Sequence, residues 1–102
     1  MIPSTWIKQA WELRKLEFDP TDALATGDSL STVDSVKVYD SLGVDKSTDM
    51  IDGTPQISGG KLYVSIKAGD AGQYYWLRIR VNTTNGDKIE DDLKIKCKNI
   101  GS

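Results

Sequence analysis

The sequence contains no histidine, and this absence excludes several familiar kinds of active site together. Histidine is the usual general base near neutral pH and a common zinc ligand. Ser-His-Asp and Cys-His catalytic groups and histidine-ligated zinc sites therefore cannot be built. No GxxxxGK[ST] motif occurs either, and Gly59-Gly60 leads into a predicted strand rather than a helix, so the phosphate-binding glycine motifs are also missing.

Cysteine and long apolar runs are equally scarce. Cys97 is the single cysteine, so no intrachain disulfide can form. Because Cys97 alternates with apolar residues, we predict a small core residue rather than a reactive thiol. The first ten residues lack an apolar stretch of about 7 to 15 residues, and no run of about 18 apolar residues occurs elsewhere. We therefore expect neither a signal peptide nor a membrane span.

Positive charge is not in excess. The 102 residues carry a net charge of −2, and the isoelectric point is near 5.0. The chain as a whole offers no positive field that would gather phosphate backbones, so nucleic acid is not an expected partner. The length suits one domain with a core of its own.

The strongest pattern that is present is a pair of alternating segments around Asn85-Gly86. Alternation with a period of two predicts strands with one buried face. A three-residue loop over 84–86, with Gly86 in the left-handed conformation, pairs apolar Val81 with Ile89 and Leu77 with Leu93. The same register places opposite charges together on the other face, namely Arg80 with Glu90 and Arg78 with Asp92, and sets Trp76 opposite Lys94 for a possible cation–π pair. Asp91 has inward parity and is expected at a sheet rim or bulge.

Shorter strand patterns precede this hairpin. The predicted strands are 35–40, entered through Leu30 and Val33, a short edge strand at 55–58, and 61–66 after the Gly59-Gly60 turn. Between them, 41–54 reads as a loop-rich segment with Val44, Met50 and Ile51 directed inward. Short strands separated by Gly, Asp and Asn turns predict a mainly β sandwich or barrel.

The N-terminal segment allows two interpretations. Trp6, Ala10, Leu13 and Leu16 recur at helical spacing, which favours a short helix or an arm over residues 1–13. Alternation at Leu16 and Phe18 favours a strand just after it. We therefore predict an arm or helix at 1–13 and a β domain at 14–100.

Candidate chemistry is confined to carboxylates. Glu90, Asp91 and Asp92 form one cluster, and paired carboxylates can hydrolyse glycosides, although a small sandwich seldom encloses a sugar-sized cleft. Asp45, Asp49 and Asp52 recur through the loop-rich segment, where they either bind Ca²⁺ or act as solvated turn residues. We predict no enzyme activity and no cofactor.

Outward-facing aromatic residues are the more informative group. Tyr39, Tyr63, Tyr74 and Trp76 have the parity opposite to the apolar core, and Trp6 and Trp11 lie in the N-terminal segment. A contiguous exposed aromatic patch would indicate a protein interface or a carbohydrate platform. Alternatively these residues are scattered and half covered by lysine and arginine stems. The predicted interface residues are Trp6, Trp11, Tyr39, Tyr63, Tyr74 and Trp76.

Two stretches resemble one known family. GQYYWLRIRVNTTNGDKIEDDLKIKCKN, at 72–99, is similar to the last hairpin of small Ig-like phage and prophage proteins called fibre-tail adaptors. FDPTDALATGDSLSTVDSVKVYD, at 18–40, resembles their opening, with Asp-Pro, then Gly-Asp-Ser-Leu, then a Val-x-Val strand.

The resemblance implies an Ig-like antiparallel β-sandwich with a structural role in a phage tail. The implied partners are other phage tail proteins or a second copy of the chain in a homo-oligomer, with no membrane. The expected location is the virion, or the bacterial cytoplasm during assembly. The alternative is a carbohydrate- or ligand-binding Ig-like module of a bacterial surface protein, with Tyr63, Tyr74 and Trp76 as its platform.

Overall fold

Two facing sheets make up the protein in the computed structural model, which describes residues 5–20 and 24–98. The strands are β1 (Thr5–Gln9), β2 (Arg14–Phe18), β3 (Leu30–Asp40), β4 (Ile51–Ser58), β5 (Lys61–Ile66), β6 (Tyr74–Thr83) and β7 (Lys88–Lys98), with helix α1 (Ser47–Met50) before β4. Within these ranges no helix is both long and apolar enough to cross a membrane.

The strand order is β1-β7-β6-β3 in one sheet and β2-β5-β4 in the other. The mainly β sandwich is therefore confirmed. Strands β2-β5-β4 and β7-β6-β3 follow the B-E-D and G-F-C order of immunoglobulin domains. Pairing is antiparallel except between β1 and β7, which are parallel.

The long hairpin has the predicted register. Val81 pairs with Ile89, Leu77 with Leu93, and Arg78 with Asp92. The loop over 84–86 is confirmed as well, because the Thr83 amide donates to the Asp87 carbonyl at 2.9 Å and Gly86 has a φ of 89°. Both the buried face and the charged face select this register.

Asp91 does not lie in a bulge, and its place at a sheet rim stays a prediction. It pairs with Ile79 in an uninterrupted part of the β6–β7 ladder. The described part of β1 covers β7 only from Lys94 onward. Asp91 therefore has no partner in the described part of β1, and its Oδ1 accepts the Asp92 amide at 2.9 Å.

Alternation also accounts for the core between the sheets. Inward residues of β5 and β6, and those of β7 from Leu93 onward, are almost completely buried, and Leu16 and Phe18 of β2 close the core from the other side. The fully enclosed side chains include Leu62, Val64, Ile66, Leu77, Ile79, Val81, Leu93, Ile95 and Cys97. Cys97 is thus a core residue, as predicted.

The N-terminal helix prediction is wrong over Thr5–Gln9. This segment is strand β1, and it hydrogen-bonds to β7 with Trp6 beside Ile95 and Lys8 beside Cys97. Local helix propensity is worth only a few tenths of a kcal/mol per residue, whereas β7 offers a row of unpaired backbone groups. The strand predicted at Leu16 and Phe18 is confirmed as β2, and residues 1–4, 21–23 and 99–102 lie outside the described residues.

The segment between β3 and β4 departs from the prediction at Val44. Met50 is buried and Ile51 is half-buried, as expected, but Val44 is 51% exposed. The Asp40 carboxylate accepts the Val44 amide at 2.9 Å, and the Asp40 amide donates to the Val44 carbonyl at 2.9 Å. This tight turn directs the Val44 side chain outward. The predicted edge strand is confirmed and is longer, as β4.

Candidate interaction surfaces

Two of the three carboxylates clustered in β7, Glu90 and Asp92, form ion pairs with arginine. Arg78 Nε donates to Asp92 Oδ1 at 3.0 Å, and Arg80 Nε donates to Glu90 Oε1 at 2.6 Å. All four side chains lie on the solvent side of the β6–β7 ladder. Glu90 and Asp92 each face an arginine across the strands rather than a second carboxylate across a cleft, whereas Asp91 faces Ile79. The two ion pairs stabilise the hairpin.

Asp45 acts within its own turn, whereas Asp52 lies in strand β4. Asp45 Oδ1 accepts the Ser47 amide at 2.8 Å, and hydrogen bonds from the Ser47 hydroxyl and amide lower the pKa of Asp45. Asp52 is 3.9 Å from Lys67 Nζ. The described residues contain no group of three or more His, Cys, Asp or Glu placed to hold a metal ion. The calcium interpretation therefore has no ligand set there.

Three of the predicted interface residues meet on the outer face of the four-stranded sheet. Tyr39 pairs with Trp76, Trp76 with Lys94, and Tyr74 with Lys96. Trp76 is 42% exposed and Tyr74 is 39% exposed. The Tyr39 ring is half-buried, with the Arg78 guanidinium 6.0 Å from its centroid. The aromatic patch is contiguous on this sheet.

Tyr63 lies on the other outer face. It is in β5 of the three-stranded sheet, where its hydroxyl donates to Glu17 Oε1 at 3.0 Å and Lys15 Nζ is 5.8 Å from its ring. Because the sheets face each other through the core, their outer faces point in opposite directions. The proposed carbohydrate platform of Tyr63, Tyr74 and Trp76 is therefore wrong.

The predicted cation–π pair uses a different ring. Lys94 Nζ lies 4.3 Å from the centroid of Tyr74, which is the diagonal neighbour of Lys94, rather than over Trp76, which is directly opposite. Long side chains reach diagonal positions across paired strands. Trp76, which is 42% exposed, is therefore not the ring that Lys94 covers.

The two N-terminal tryptophans differ. Trp6 is half-buried against the core, and the Arg14 guanidinium lies 5.8 Å from its ring. Trp11 is 95% exposed in the turn between β1 and β2. The Glu12 amide donates to the Gln9 carbonyl at 3.1 Å, and the Gln9 amide donates to Glu12 Oε1 at 2.7 Å. Trp11 therefore projects from a turn that two hydrogen bonds between Gln9 and Glu12 hold in place.

Lys8 braces the same turn from inside. Its side chain is only 1% exposed, and its Nζ donates to the carbonyls of Gln9 at 2.7 Å, Ala10 at 3.2 Å and Ala68 at 2.6 Å. Burial of the ammonium lowers the pKa of Lys8. A buried cation is costly unless its hydrogen bonds are satisfied, and here three carbonyls satisfy it. Lys8 thus ties the Trp11 turn to the connection between β5 and β6.

A further contact joins two distant parts of the sequence. Asp28 Oδ1 accepts hydrogen bonds from the Thr84 hydroxyl at 2.7 Å and the Asn85 amide at 3.0 Å, and the Thr84 amide donates to the Ser29 carbonyl at 2.9 Å. Partial burial raises the pKa of Asp28, but hydrogen bonds from Thr84, Thr83, Asn85 and Ser29 outweigh that effect and lower it below 3.8. Gly-Asp-Ser-Leu at 27–30 is thereby fastened to the hairpin loop.

A family model for the podophage GP4 fibre-tail adaptor protein gp77 matches residues 8–96. This match spans most of the chain. The chain belongs to the podophage fibre-tail adaptor family. No individual curated protein matches it. The resemblance noted in the sequence is confirmed, and in this adaptor-family chain the two stretches that carry it touch each other through Asp28, Thr84 and Asn85.

Sequence reasoning missed Lys8 as a structural residue of the adaptor chain. Trp6 and Lys8 share the parity of a strand, so a strand interpretation of Thr5–Gln9 would have placed Lys8 inside. The helical spacing of the neighbouring apolar residues concealed this signal. Of the predicted interface residues, the structure groups Tyr39, Tyr74 and Trp76, and it places Trp6, Trp11 and Tyr63 elsewhere.

Proposed function

We propose that this chain is a non-enzymatic structural protein of a phage tail that acts through contacts with other tail proteins or with copies of itself. Membership of the adaptor family supports the tail role. The observation that carries the contact role is the patch of Tyr39, Tyr74 and Trp76 on a rigid sheet, since exposed aromatic clusters of this kind mark protein interfaces.

The Trp11 turn supports the same proposal independently. Tryptophan is enriched among the residues that dominate binding energy, and a rigid scaffold lowers the entropy lost on binding. Trp11 is exposed while its turn is held by Glu12 and by the buried Lys8. Trp11 is therefore proposed as a second anchor for a neighbouring protein, in the virion or in the bacterial cytoplasm during assembly.

The test is genetic and structural. Particles produced without this chain should lack attached fibres in electron micrographs, and wild-type protein supplied from a plasmid should restore them. Trp11→Ala combined with Trp76→Ala should fail to restore fibres, whereas Lys15→Glu, on the opposite outer face, should succeed. Fibre-bearing, infectious particles that form without the chain would refute the proposal.

A further inference from the structure

The aromatic patch is continuous with unpaired lysines. Lys94 lies beside Trp76 and Lys96 beside Tyr74 in the β6–β7 register, and all of these side chains point away from the core. We define the lysine–aromatic face as Tyr39, Tyr74, Trp76, Lys94 and Lys96. Lys94 and Lys96 project from alternate positions of one strand, so their Cα atoms are about 7 Å apart.

Charge is distributed unevenly along this outer face. Toward the hairpin loop, Arg78 and Arg80 are matched by Asp92 and Glu90. Neither Lys94 nor Lys96 has an ion pair with any residue in 5–20 or 24–98. The half of the face near the hairpin loop thus carries paired opposite charges, whereas the half around Lys94 and Lys96 carries a net positive charge.

The nearby carboxylate of Asp40 forms no ion pair with Lys94 or Lys96. Asp40 Oδ1 accepts the amides of Leu42 and Val44, each at 2.9 Å, so it serves its own turn. That turn forms one wall of an open groove of about 440 Å³, whose floor includes Tyr39 and Trp76. Lys94 contacts the Tyr74 ring, but neither Lys94 nor Lys96 has a carboxylate partner among the described residues. An aromatic groove beside two such lysines suits a ligand that carries both apolar and acidic groups.

We propose that the lysine–aromatic face binds an extended acidic segment of a different tail protein, and this inference rests on the proposed function. In an extended segment, side chains at alternate positions share one face, so two carboxylates spaced by one residue match Lys94 and Lys96. Apolar side chains of the same segment pack on Trp76 and Tyr39. Main-chain pairing with the chain is not required.

The charge of the rest of the chain favours a short acidic segment over nucleic acid. Removing the charges of Lys94 and Lys96 from the net −2 leaves −4 on the remainder. A nucleic acid is charged along its whole length, so its phosphates would meet this negative remainder as well as the two lysines. A short peptide places its few carboxylates only where the lysines are.

The experiment uses the full chain and three fluorescent probes. The first is a synthetic peptide with two glutamates at alternate positions followed by two leucines at the next alternate positions and serine between them, so that all four side chains share one face when the peptide is extended. The second replaces each glutamate with lysine, and the third is a thymidine oligonucleotide of equal length. Fluorescence anisotropy measures binding at low and high salt. Only the glutamate peptide should bind, and added salt should weaken it because the ion pairs are exposed.

Charge reversal locates the site. Lys94→Glu with Lys96→Glu should weaken binding of the glutamate peptide by about tenfold or more, since each reversal turns an attraction into a repulsion. Trp76→Ala should weaken it as well. The matched control, Lys15→Glu with Lys61→Glu, makes the same charge change on the opposite outer face and should leave the affinity unchanged.

Several outcomes would overturn the inference. Equal loss in the control pair would show that only net charge matters, and tighter binding of the oligonucleotide would assign the face to nucleic acid. Absence of peptide binding, with Lys94→Glu and Lys96→Glu altering only sedimentation of the chain, would assign it to a second copy. These results leave the adaptor role intact, whereas the deletion experiment tests that role without reference to this face.

Discussion

Replacing Gly69 with alanine would test how closely the β5–β6 connection packs on the core. Gly69 has a φ of 92°, and a Cβ built on it would lie 2.5 Å from Cys97 Sγ, 3.1 Å from Met50 Cε and 3.3 Å from Tyr75 Cε2. Cys97 is fully buried, and the Tyr75 hydroxyl is held by the Asp70 amide at 2.9 Å. The neighbours therefore have little room to move aside.

Two effects add in the Gly69→Ala variant. An alanine in the left-handed region costs about 1–2 kcal/mol, and forcing an extra methyl into a packed core costs about 1–3 kcal/mol. We expect a loss of about 2–5 kcal/mol in the free energy of unfolding, out of the roughly 5–15 kcal/mol typical of a domain. Gly72→Ala is the matched control, because its φ is 82° and a Cβ added there would meet nothing within 4 Å. Gly72→Ala should therefore lose only the conformational free energy of placing alanine in the left-handed region.

Urea unfolding followed by tryptophan fluorescence measures these differences. Cys97→Ala removes the atom that a new Cβ at position 69 would strike, so the double variant should be more stable than additivity predicts, by about 1–3 kcal/mol. Equal losses for Gly69→Ala and Gly72→Ala, together with additive behaviour of Gly69→Ala and Cys97→Ala, would refute the close packing of this connection.

Three further changes test other contacts. Lys8→Ala should lower the free energy of unfolding by about 2 kcal/mol or more, because three carbonyls lose their hydrogen-bond donor. Hydrogen exchange of the Ala10 amide, which is bonded to the Lys98 carbonyl, should accelerate. An unchanged exchange rate would show that Lys8 does not hold this turn. The pKa of Asp28 in the folded state is lowered from 3.8, so the ionised carboxylate stabilises the fold above pH 3.8, and this stability is lost as the pH falls through the folded-state pKa. The thermal unfolding midpoints of wild type and Asp28→Asn should therefore converge over that acid range. A constant difference between the two midpoints would contradict this role of Asp28. Trp11→Ala should change the free energy of unfolding by no more than about 0.5 kcal/mol yet weaken binding to tail proteins about tenfold. Calorimetry with purified tail proteins measures that affinity, and an unchanged affinity would show that Trp11 is not a binding residue.

The long hairpin was predictable because its constraints are local and agree with one another. The apolar face, the charged face and the left-handed Gly86 each select the same register, and a shift of one residue would reverse every side chain. The family resemblance likewise rested on residues that turned out to be in contact, since Asp28 binds the loop that contains Thr84. Agreement between separate local sequence patterns was sufficient to predict the hairpin register and the family resemblance.

The N-terminal segment was not predictable in the same way. Thr5–Gln9 has acceptable helix propensity, and its conformation is decided by β7, which lies about 90 residues away in the sequence. The parity rule separated inward from outward aromatic residues, but it did not assign Tyr63 and Trp76 to opposite sheets. Such assignments depend on strand order, which period-two alternation does not encode.

Residue types and their short spacing are enough to establish which strand faces are apolar, where the last hairpin turns, and that histidine-based chemistry is impossible. Long-range packing, in contrast, buries Lys8, presents Trp11 on a hydrogen-bonded turn, and places Tyr39, Tyr74 and Trp76 on one face with two lysines that have no ion pair among the described residues. Those features arise when segments far apart in the chain satisfy one another's backbone groups, and no local pattern specifies which segments will meet.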